Sequence, residues 1–282
     1  MTRRTELVMG MPITIEVPAG AEASLLDAVY ADLRMVDALF SPFIADSAVA
    51  RINAGTLAPR SGGPLVAEVL ELCERYERST SGYFSAQATG VLDPSGLVKG
   101  WALARACALL ERAGHTAFFV DGAGDVRTKG QRAPGIPWRI AVRHPVRRDR
   151  VALVIEAEDL AVATSGRYEK GPHIVDPHTG TAAVELLSLT VVGPDIVAAD
   201  AYATAAFAMG RAGLGFVEGL PGYEAFAIDG ELFSASTSGF PRDAASHRSL
   251  GRGPDGTLEG SKVPAALGLL GLSRGAGSGQ AP

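Results

Sequence analysis

The sequence has few cysteines, little net charge and no long apolar run, and each of these absences excludes a class of protein. Its 282 residues include two cysteines, Cys73 and Cys107, both among apolar neighbours in predicted helices, so we expect neither a disulfide framework nor a zinc site. The net charge is −5 and no face has an obvious basic stripe, which argues against nucleic acid as a main partner. No run of about 18 apolar residues occurs, so no membrane-spanning helix is expected.

The amino terminus lacks the pattern of a targeting segment. The stretch "MTRRTELVMGMPITIEV" has two arginines, but no apolar segment of useful length follows them, and no cysteine is placed for lipid attachment. The chain is therefore predicted to be cytoplasmic. Its oligomeric state does not follow from the sequence.

Hydrophobic periodicity predicts an α+β fold. Amphipathic helices are expected over residues 22–40, 62–82 and 98–115, and short strands at "PITIEV", "TAFFVD", "DVRTKG", "WRIAVRHP", "VALVIEAE", "LAVATSG" and "ELLSLTVVG". The pair "YEAFAID" and "LFSAS" predicts a hairpin around Asp229-Gly230. Helices clustered among runs of strands favour α+β over a doubly wound sheet. We expect one domain over residues 1–242 and a disordered tail over 243–282, which is rich in Gly, Ser, Pro and Ala.

One predicted helix, "AADAYATAAFAMG" at residues 198–210, carries a single charge in an apolar segment. Residues four apart share a helix face, so Asp200 and Thr204 can point at the same place. One interpretation is that Asp200 caps the first turn and Thr204 bonds back to a carbonyl. The other is that two hard oxygen ligands hold a cation such as Mg²⁺. The helix alone leaves both open.

Four further stretches place polar or glycine-rich residues at the ends of apolar elements. In "GLVKGWA", Lys99 and Gly100 are expected to open a helix and form an anion cradle, unless Lys99 is simply a surface lysine. The glycines of "VDGAGDV" are most simply a hairpin turn. Ser165 in "ATSG" lacks the surroundings of a serine nucleophile. In "HIVDPHTG", His173 and Asp176 could serve acid–base chemistry or be simply hydrogen-bonded.

Taken in order, the motifs resemble those of the ApbE family of FAD:protein FMN transferases. The matching segments, within about residues 8–240, are "MGM", "SAVARIN", "GYFSAQATG", "GLVKGWA", "GAGDV", "ATSGRYEKGPHIVDPHTG" and "ADAYATAAFAMG". Family members split FAD at its pyrophosphate and attach FMN through a phosphoester to a threonine of an acceptor protein, releasing AMP. The resemblance therefore implies an ApbE-like (T-fold-like) fold, a phosphoryl transferase with FAD as substrate, and a flavin-acceptor protein as partner.

The resemblance also implies a site. Its Mg²⁺ ligands, with Mn²⁺ as an alternative, correspond to Asp200, Thr204 and the main-chain carbonyl of Ala102. Asp200 thereby also counts as catalytic. The residues matched to FAD binding are Met9, Phe43, Tyr83, Phe84, Ser85, Lys99, Arg105 and Val175.

His173 is the residue that we consider for taking the proton of the acceptor threonine, with Asp176 able to orient its ring. That role is plausible for a histidine near neutral pH, but the motif does not specify it.

The chain departs from the family pattern at several positions, and these put the affinity for FAD in doubt. Met11, Ser85, Gln87, Ala104 and Ala123 replace residues usual in the family, and Ala203 stands where an acidic residue is common. Three alternatives therefore remain: a flavin carrier without transferase activity, an FAD pyrophosphatase that releases free FMN, and a serine hydrolase using Ser165, for which no triad order is visible.

Overall fold

The computed structural model describes residues 1–147, 149–167, 171, 173–241 and the backbone of 261–262. Its helices are α1 (Ala23–Phe40), α2 (Ala48–Asn53), α3 (Pro64–Ser79), α4 (Ser95–Arg112), α5 (Ile196–Ala208) and α6 (Ala212–Glu218). Its strands are β1 (Thr2–Val8), β2 (Met11–Val17), β3 (Phe118–Gly122), β4 (Asp125–Lys129), β5 (Trp138–Arg143), β6 (Val151–Ala157), β7 (Ala161–Gly166), β8 (Val175–Asp176), β9 (Thr181–Ala182), β10 (Leu186–Gly193), β11 (Glu224–Asp229), β12 (Phe233–Ser236) and β13 (Ser261–Lys262).

Nine of the strands form one sheet in the order β1-β2-β3-β4-β7-β10-β11-β12-β13. Every neighbouring pair in it is antiparallel. Helices and an antiparallel sheet confirm the α+β prediction, and the hairpin around Asp229-Gly230 is present as β11 and β12.

The two faces of this sheet are covered differently. On β7, Ala161 and Ala163 point into a core shared with the helices, while Val162 points into a second core shared with β5 and β6. The same alternation along β10 and β11 gives a three-layer arrangement, with helices on one face and the β5–β6 hairpin on the other. Because side chains alternate along a strand, every second residue of β4, including Asp125, faces the helices.

Some elements of the fold differ from those that the sequence predicts. β1, α2 and α6 were not expected: β1 is a polar edge strand with alternating partly buried and exposed residues, and the two helices are short. The helix expected to open at Lys99 begins four residues earlier, at Ser95, where Asp93 accepts a hydrogen bond from the Ser95 amide at 3.0 Å. Lys99 therefore lies inside α4, and the predicted anion cradle at a helix start is wrong.

Two further predictions concern a membrane-spanning helix and the carboxyl-terminal tail. Within the described part of the chain, no helix is long and apolar enough to cross a bilayer. The predicted tail at 243–282 lies outside the described residues, apart from the pairing of Ser261 and Lys262 with β12. The division of the chain into a domain and a tail stays a prediction.

Candidate active site

The candidate site lies where α4 and α5 pack together. The approach is so close that glycine is required on α4: a Cβ on Gly100 would lie 2.7 Å from the Ile196 carbonyl oxygen and 2.9 Å from Asp200 Cβ. One turn earlier, a Cβ on Gly96 would lie 3.2 Å from Thr204 Oγ1. Asp200 and Thr204 therefore both face α4, as their four-residue spacing predicts.

Asp200 sits in the interior of α5 and does not cap it. The cap is Asp195, whose side chain accepts a hydrogen bond from the Ala198 amide at 2.9 Å. Asp200 is 4% exposed, and its Oδ2 accepts a hydrogen bond from the backbone amide of Gly100 at 2.8 Å. The capping interpretation of this residue is therefore wrong, and its carboxylate is directed at the neighbouring helix.

Lys99 brings a positive charge to the same place, and with it a residue that sequence reasoning missed. Its Nζ lies 2.6 Å from Asp125 Oδ2 and 4.0 Å from Asp200 Oδ1. We call Lys99, Asp125 and Asp200 the Asp–Lys–Asp cluster. The only hint of Asp125 in the sequence was its place just after the glycine turn of "GAGDV".

The backbone fixes the position of Asp125. It is 1% exposed, and its Oδ1 accepts a hydrogen bond from the Thr164 amide of β7 at 3.0 Å. It opens β4 directly after a two-residue turn in which Ala123 has φ +54° and Gly124 has φ +99°. An alanine in the left-handed region is strained, which indicates that the surrounding hairpin imposes this turn.

Electrostatics in the cluster oppose full ionisation of Asp200. Burial raises the pKa of this carboxyl, the Lys99 ammonium lowers it, and the nearby Asp125 raises it again. The net direction is upward. A buried carboxyl of this kind gains from a further positive charge, and a divalent cation would supply one.

The donor set suits a hard cation held by few protein ligands. No group of three or more His, Cys, Asp and Glu side chains among the described residues could hold a metal ion. A cation here would rest on Asp200, the Thr204 hydroxyl and carbonyl oxygens, a set that fits Mg²⁺, which usually keeps water or phosphate oxygens in its shell. Ala102 is fully buried within α4, so its carbonyl also belongs to the helix backbone ladder.

Among the residues matched to FAD, three follow α3 in sequence. Tyr83 contacts the His178 ring edge-on, with centroids 4.4 Å apart. Phe84 is 2% exposed and packs edge-on against Tyr76, so its ring belongs to the core, and its amide donates a hydrogen bond to the Thr80 hydroxyl at 3.0 Å. Ser85 is partly buried and accepts a hydrogen bond from the Gln87 amide at 3.2 Å.

The other matched residues are spread over the helix layer and the loops. Met9 occupies the β1–β2 turn at φ +54°, with its amide bonded to Asp37 at 3.1 Å. Phe43 is 94% exposed. The guanidinium of Arg105 forms two hydrogen bonds with Asp32, at 3.0 and 2.5 Å, and lies over Trp101. Arg105 thus has a structural partner that a phosphate would have to displace.

Val175 is partly buried and begins β8 of the β8–β9 hairpin, and His173 lies two residues before it and is exposed. The His173 Nδ1 is 2.9 Å from the carbonyl oxygen of Gly171. Asp176 does not orient this ring, as the sequence suggested it could; it instead accepts hydrogen bonds from the His178 amide at 2.9 Å and the Thr179 hydroxyl at 3.1 Å. Because a carbonyl only accepts, Nδ1 carries the proton of a neutral ring, which leaves the Nε2 lone pair available to a base.

Fold and site together define a class: an α+β protein with a buried cluster of two carboxylates and a lysine where two helices meet the sheet, and with an exposed histidine just before the β8–β9 hairpin. Comparison with known proteins specifies the family. The ApbE family model matches residues 9–91 and 85–227, and the chain belongs to this family.

Related proteins and structures agree with that assignment. The chain is 35% identical over 130 residues to the FAD:protein FMN transferase of Vibrio cholerae and 29% identical over 129 residues to that of Escherichia coli. These segments cover 43% and 42% of this chain and 39% and 37% of the relatives, so the match spans less than half of each relative.

Solved structures show the same fold. The flavin transferase ApbE from Vibrio cholerae superposes with a TM-score of 0.74 at 23% identity, covering 85% of this chain and 97% of that one. The ApbE protein from Thermotoga maritima gives a TM-score of 0.74 at 22% identity, covering 86% and 99%. The ApbE-like fold expected from the motifs is confirmed.

Proposed function

We propose that this protein transfers FMN from FAD to a threonine hydroxyl of an acceptor protein in a Mg²⁺-dependent reaction that releases AMP. One observation carries the proposal: Asp200 and Thr204 present oxygen donors on one face of a buried helix, beside the ammonium of Lys99. The names of the sequence relatives, FAD:protein FMN transferases, support the same reaction. Neither nucleic acid nor a membrane is required as a partner. A cytoplasmic location stays a prediction.

Asp200, Thr204 and the Ala102 carbonyl would hold the cation. When bound, Mg²⁺ neutralises charge on the pyrophosphate and on the leaving AMP. Asp200 is suited to this task because its carboxylate is held by the Gly100 amide and cannot swing away. Mn²⁺, which accepts similar oxygen ligands, would serve the same role.

Lys99 would hold a phosphate of FAD from the same side. Its ammonium is a compact positive charge on the inner face of α4, already directed at the carboxylates of the cluster. The flavin and adenine groups would extend over Met9, Phe43, Tyr83, the backbone of Phe84, Ser85 and Val175. Arg105 would join them only by exchanging its pair with Asp32 for phosphate.

His173 would act as the general base. Its Nε2 takes the proton of the threonine hydroxyl as that oxygen forms a bond to the phosphorus of the FMN half. The bond from this phosphorus to the AMP oxygen breaks, and AMP leaves with the bonding pair. The exposed position of His173 allows a protein acceptor to reach it without opening the core.

The decisive experiment mixes the purified chain with FAD, Mg²⁺ and a protein carrying a candidate threonine, and follows the acceptor by mass spectrometry and AMP by chromatography. We expect the acceptor to gain the mass of an FMN phosphoester and AMP to appear in equal amount. Bound FAD without AMP would instead identify a flavin carrier. Free FMN and AMP without a modified acceptor would identify a pyrophosphatase. Either of those results would overturn the transfer.

A further inference from the structure

The two carboxylates of the Asp–Lys–Asp cluster are held in the same way. In Asp125, Oδ1 accepts from the Thr164 amide and Oδ2 faces Lys99. In Asp200, Oδ2 accepts from the Gly100 amide and Oδ1 faces Lys99. Each carboxylate therefore has one oxygen tied to the backbone and one directed at the same ammonium.

The Lys99 ammonium is nevertheless closer to one carboxylate than to the other. It is 2.6 Å from Asp125 and 4.0 Å from Asp200, although both carboxylates are almost fully buried. The difference matters because Lys99 belongs to the same turn of α4 as Gly100, whose amide holds Asp200. With Asp200 the ammonium therefore makes only a long ion pair, while its contact with Asp125 is at hydrogen-bonding distance.

Asp200 Oδ1 is also the oxygen that a cation would use, since Oδ2 is already bonded to Gly100. Two positive charges repel when they share one buried oxygen, so an ammonium paired with Asp200 would exclude a divalent cation. The position of Lys99 therefore bears on whether Asp200 can bind a divalent cation.

We propose that Asp125 is a positioning residue that holds the Lys99 ammonium away from Asp200 Oδ1 and so keeps this oxygen open to a divalent cation. The inference rests on the cation site of the proposed function and extends it to a residue outside the ligand set. It assigns a task to the aspartate of "GAGDV", which neither the metal ligands nor the flavin contacts include.

The test is a double-mutant cycle read by Mn²⁺ binding without FAD, with free Mn²⁺ followed by electron paramagnetic resonance. Asp125→Asn should raise the dissociation constant of Mn²⁺ by at least about 10-fold, because Lys99 closes on Asp200. In a Lys99→Met background, the same substitution should change it by less than about threefold, since no ammonium remains to be positioned. A crystal structure of Asp125→Asn should show Lys99 Nζ within hydrogen-bonding distance of Asp200 Oδ1.

Asp229→Asn is the matched control. Asp229 is also a buried carboxylate that accepts backbone amides, from Glu231 and Phe233, and pairs with a cation, Arg211 at 2.8 Å. Its loss should leave Mn²⁺ affinity unchanged. If Asp125→Asn does not fold, Asp125→Ser is used in its place.

Two results would overturn the inference. An equal loss of affinity in both backgrounds would show that Asp125 acts only through its own charge, and an unchanged affinity would show that it does not act at all. If the wild-type protein binds no Mn²⁺, the proposed cation site is wrong. The Lys99–Asp200 distance in the Asp125→Asn crystal then decides the positioning role by itself.

Discussion

The α4–α5 interface and the β8–β9 hairpin contribute to the candidate site in opposite ways. At the interface, Asp200 and Asp125 are 4% and 1% exposed, and each is tied to a backbone amide of another element. Just before the hairpin, His173 is exposed, and its Nδ1 lies 2.9 Å from the carbonyl oxygen of Gly171. In the proposed mechanism, the interior would hold phosphate and cation with fixed charge, while His173 would offer a base to an acceptor arriving from outside.

The largest effect is expected from Asp200→Asn, which removes the interior charge without changing shape. Transfer of FMN should fall by more than ~100-fold, because losing a ligand should cost more than the loss of about 10–100-fold that follows when a hydrogen-bond partner of a ligand is altered. Because burial raises the pKa of Asp200, the neutral amide should leave the melting temperature unchanged or higher. Transfer measured by mass spectrometry and melting measured by calorimetry separate the two effects. An Asp200→Asn enzyme with normal activity would remove this residue from the cation site.

His173→Ala tests the hairpin side of the comparison. It should lower the transfer rate by about 10²–10⁴-fold while FAD and Mg²⁺ still bind. Stability should change by less than about 0.5 kcal/mol, because the side chain is exposed. His178→Ala is the contrasting variant: it removes the ring packed on Tyr83 and should weaken FAD binding instead. A His173→Ala protein that keeps the wild-type transfer rate would end the assignment.

Gly100→Ala tests whether α4 and α5 pack as closely as the structure shows. The added methyl group would meet the Ile196 carbonyl at 2.7 Å, and the backbone cannot yield easily, so we expect a loss of about 1–3 kcal/mol in the free energy of unfolding. Gly215→Ala, in α6, meets nothing within 4 Å and should be neutral or slightly stabilising. Urea denaturation measures the free energy of unfolding of both variants. Equal values would contradict the close approach of α4 and α5.

The smallest effect is expected in the rate at which a thiol reagent labels the two cysteines. This rate shows whether the protein interior is accessible to solvent. Burial raises the pKa of Cys73 and of Cys107 to about 12. Since the thiolate is the reactive form, a thiol reagent at pH 8 should label both residues slowly in the native protein and quickly after denaturation. Rapid labelling of the native protein would show that the helix layer opens readily.

Much of the architecture follows from local sequence. The periodicity of residues 22–40 and the alternation of "PITIEV" correspond to α1 and β2, because burying one face of a helix or strand requires that pattern. The sequence does not predict β1, because an edge strand buries little and "TRRTELV" keeps mainly polar residues. The sequence pattern places the start of α4 too late, because its first turn contains Ser95 and Gly96, which are weak helix formers.

For the site, the sequence by itself determined that Asp200 and Thr204 share a face, since a four-residue spacing has only one meaning in a helix. Only the tertiary structure decided that this face meets Gly96 and Gly100 rather than solvent. It also decided that Asp125 joins Lys99, because that ion pair depends on how β4 lies beneath α4 and on which face of the sheet its alternate residues point to. No spacing along the chain encodes a contact of that kind, which arises only when two distant elements bury their surfaces against each other.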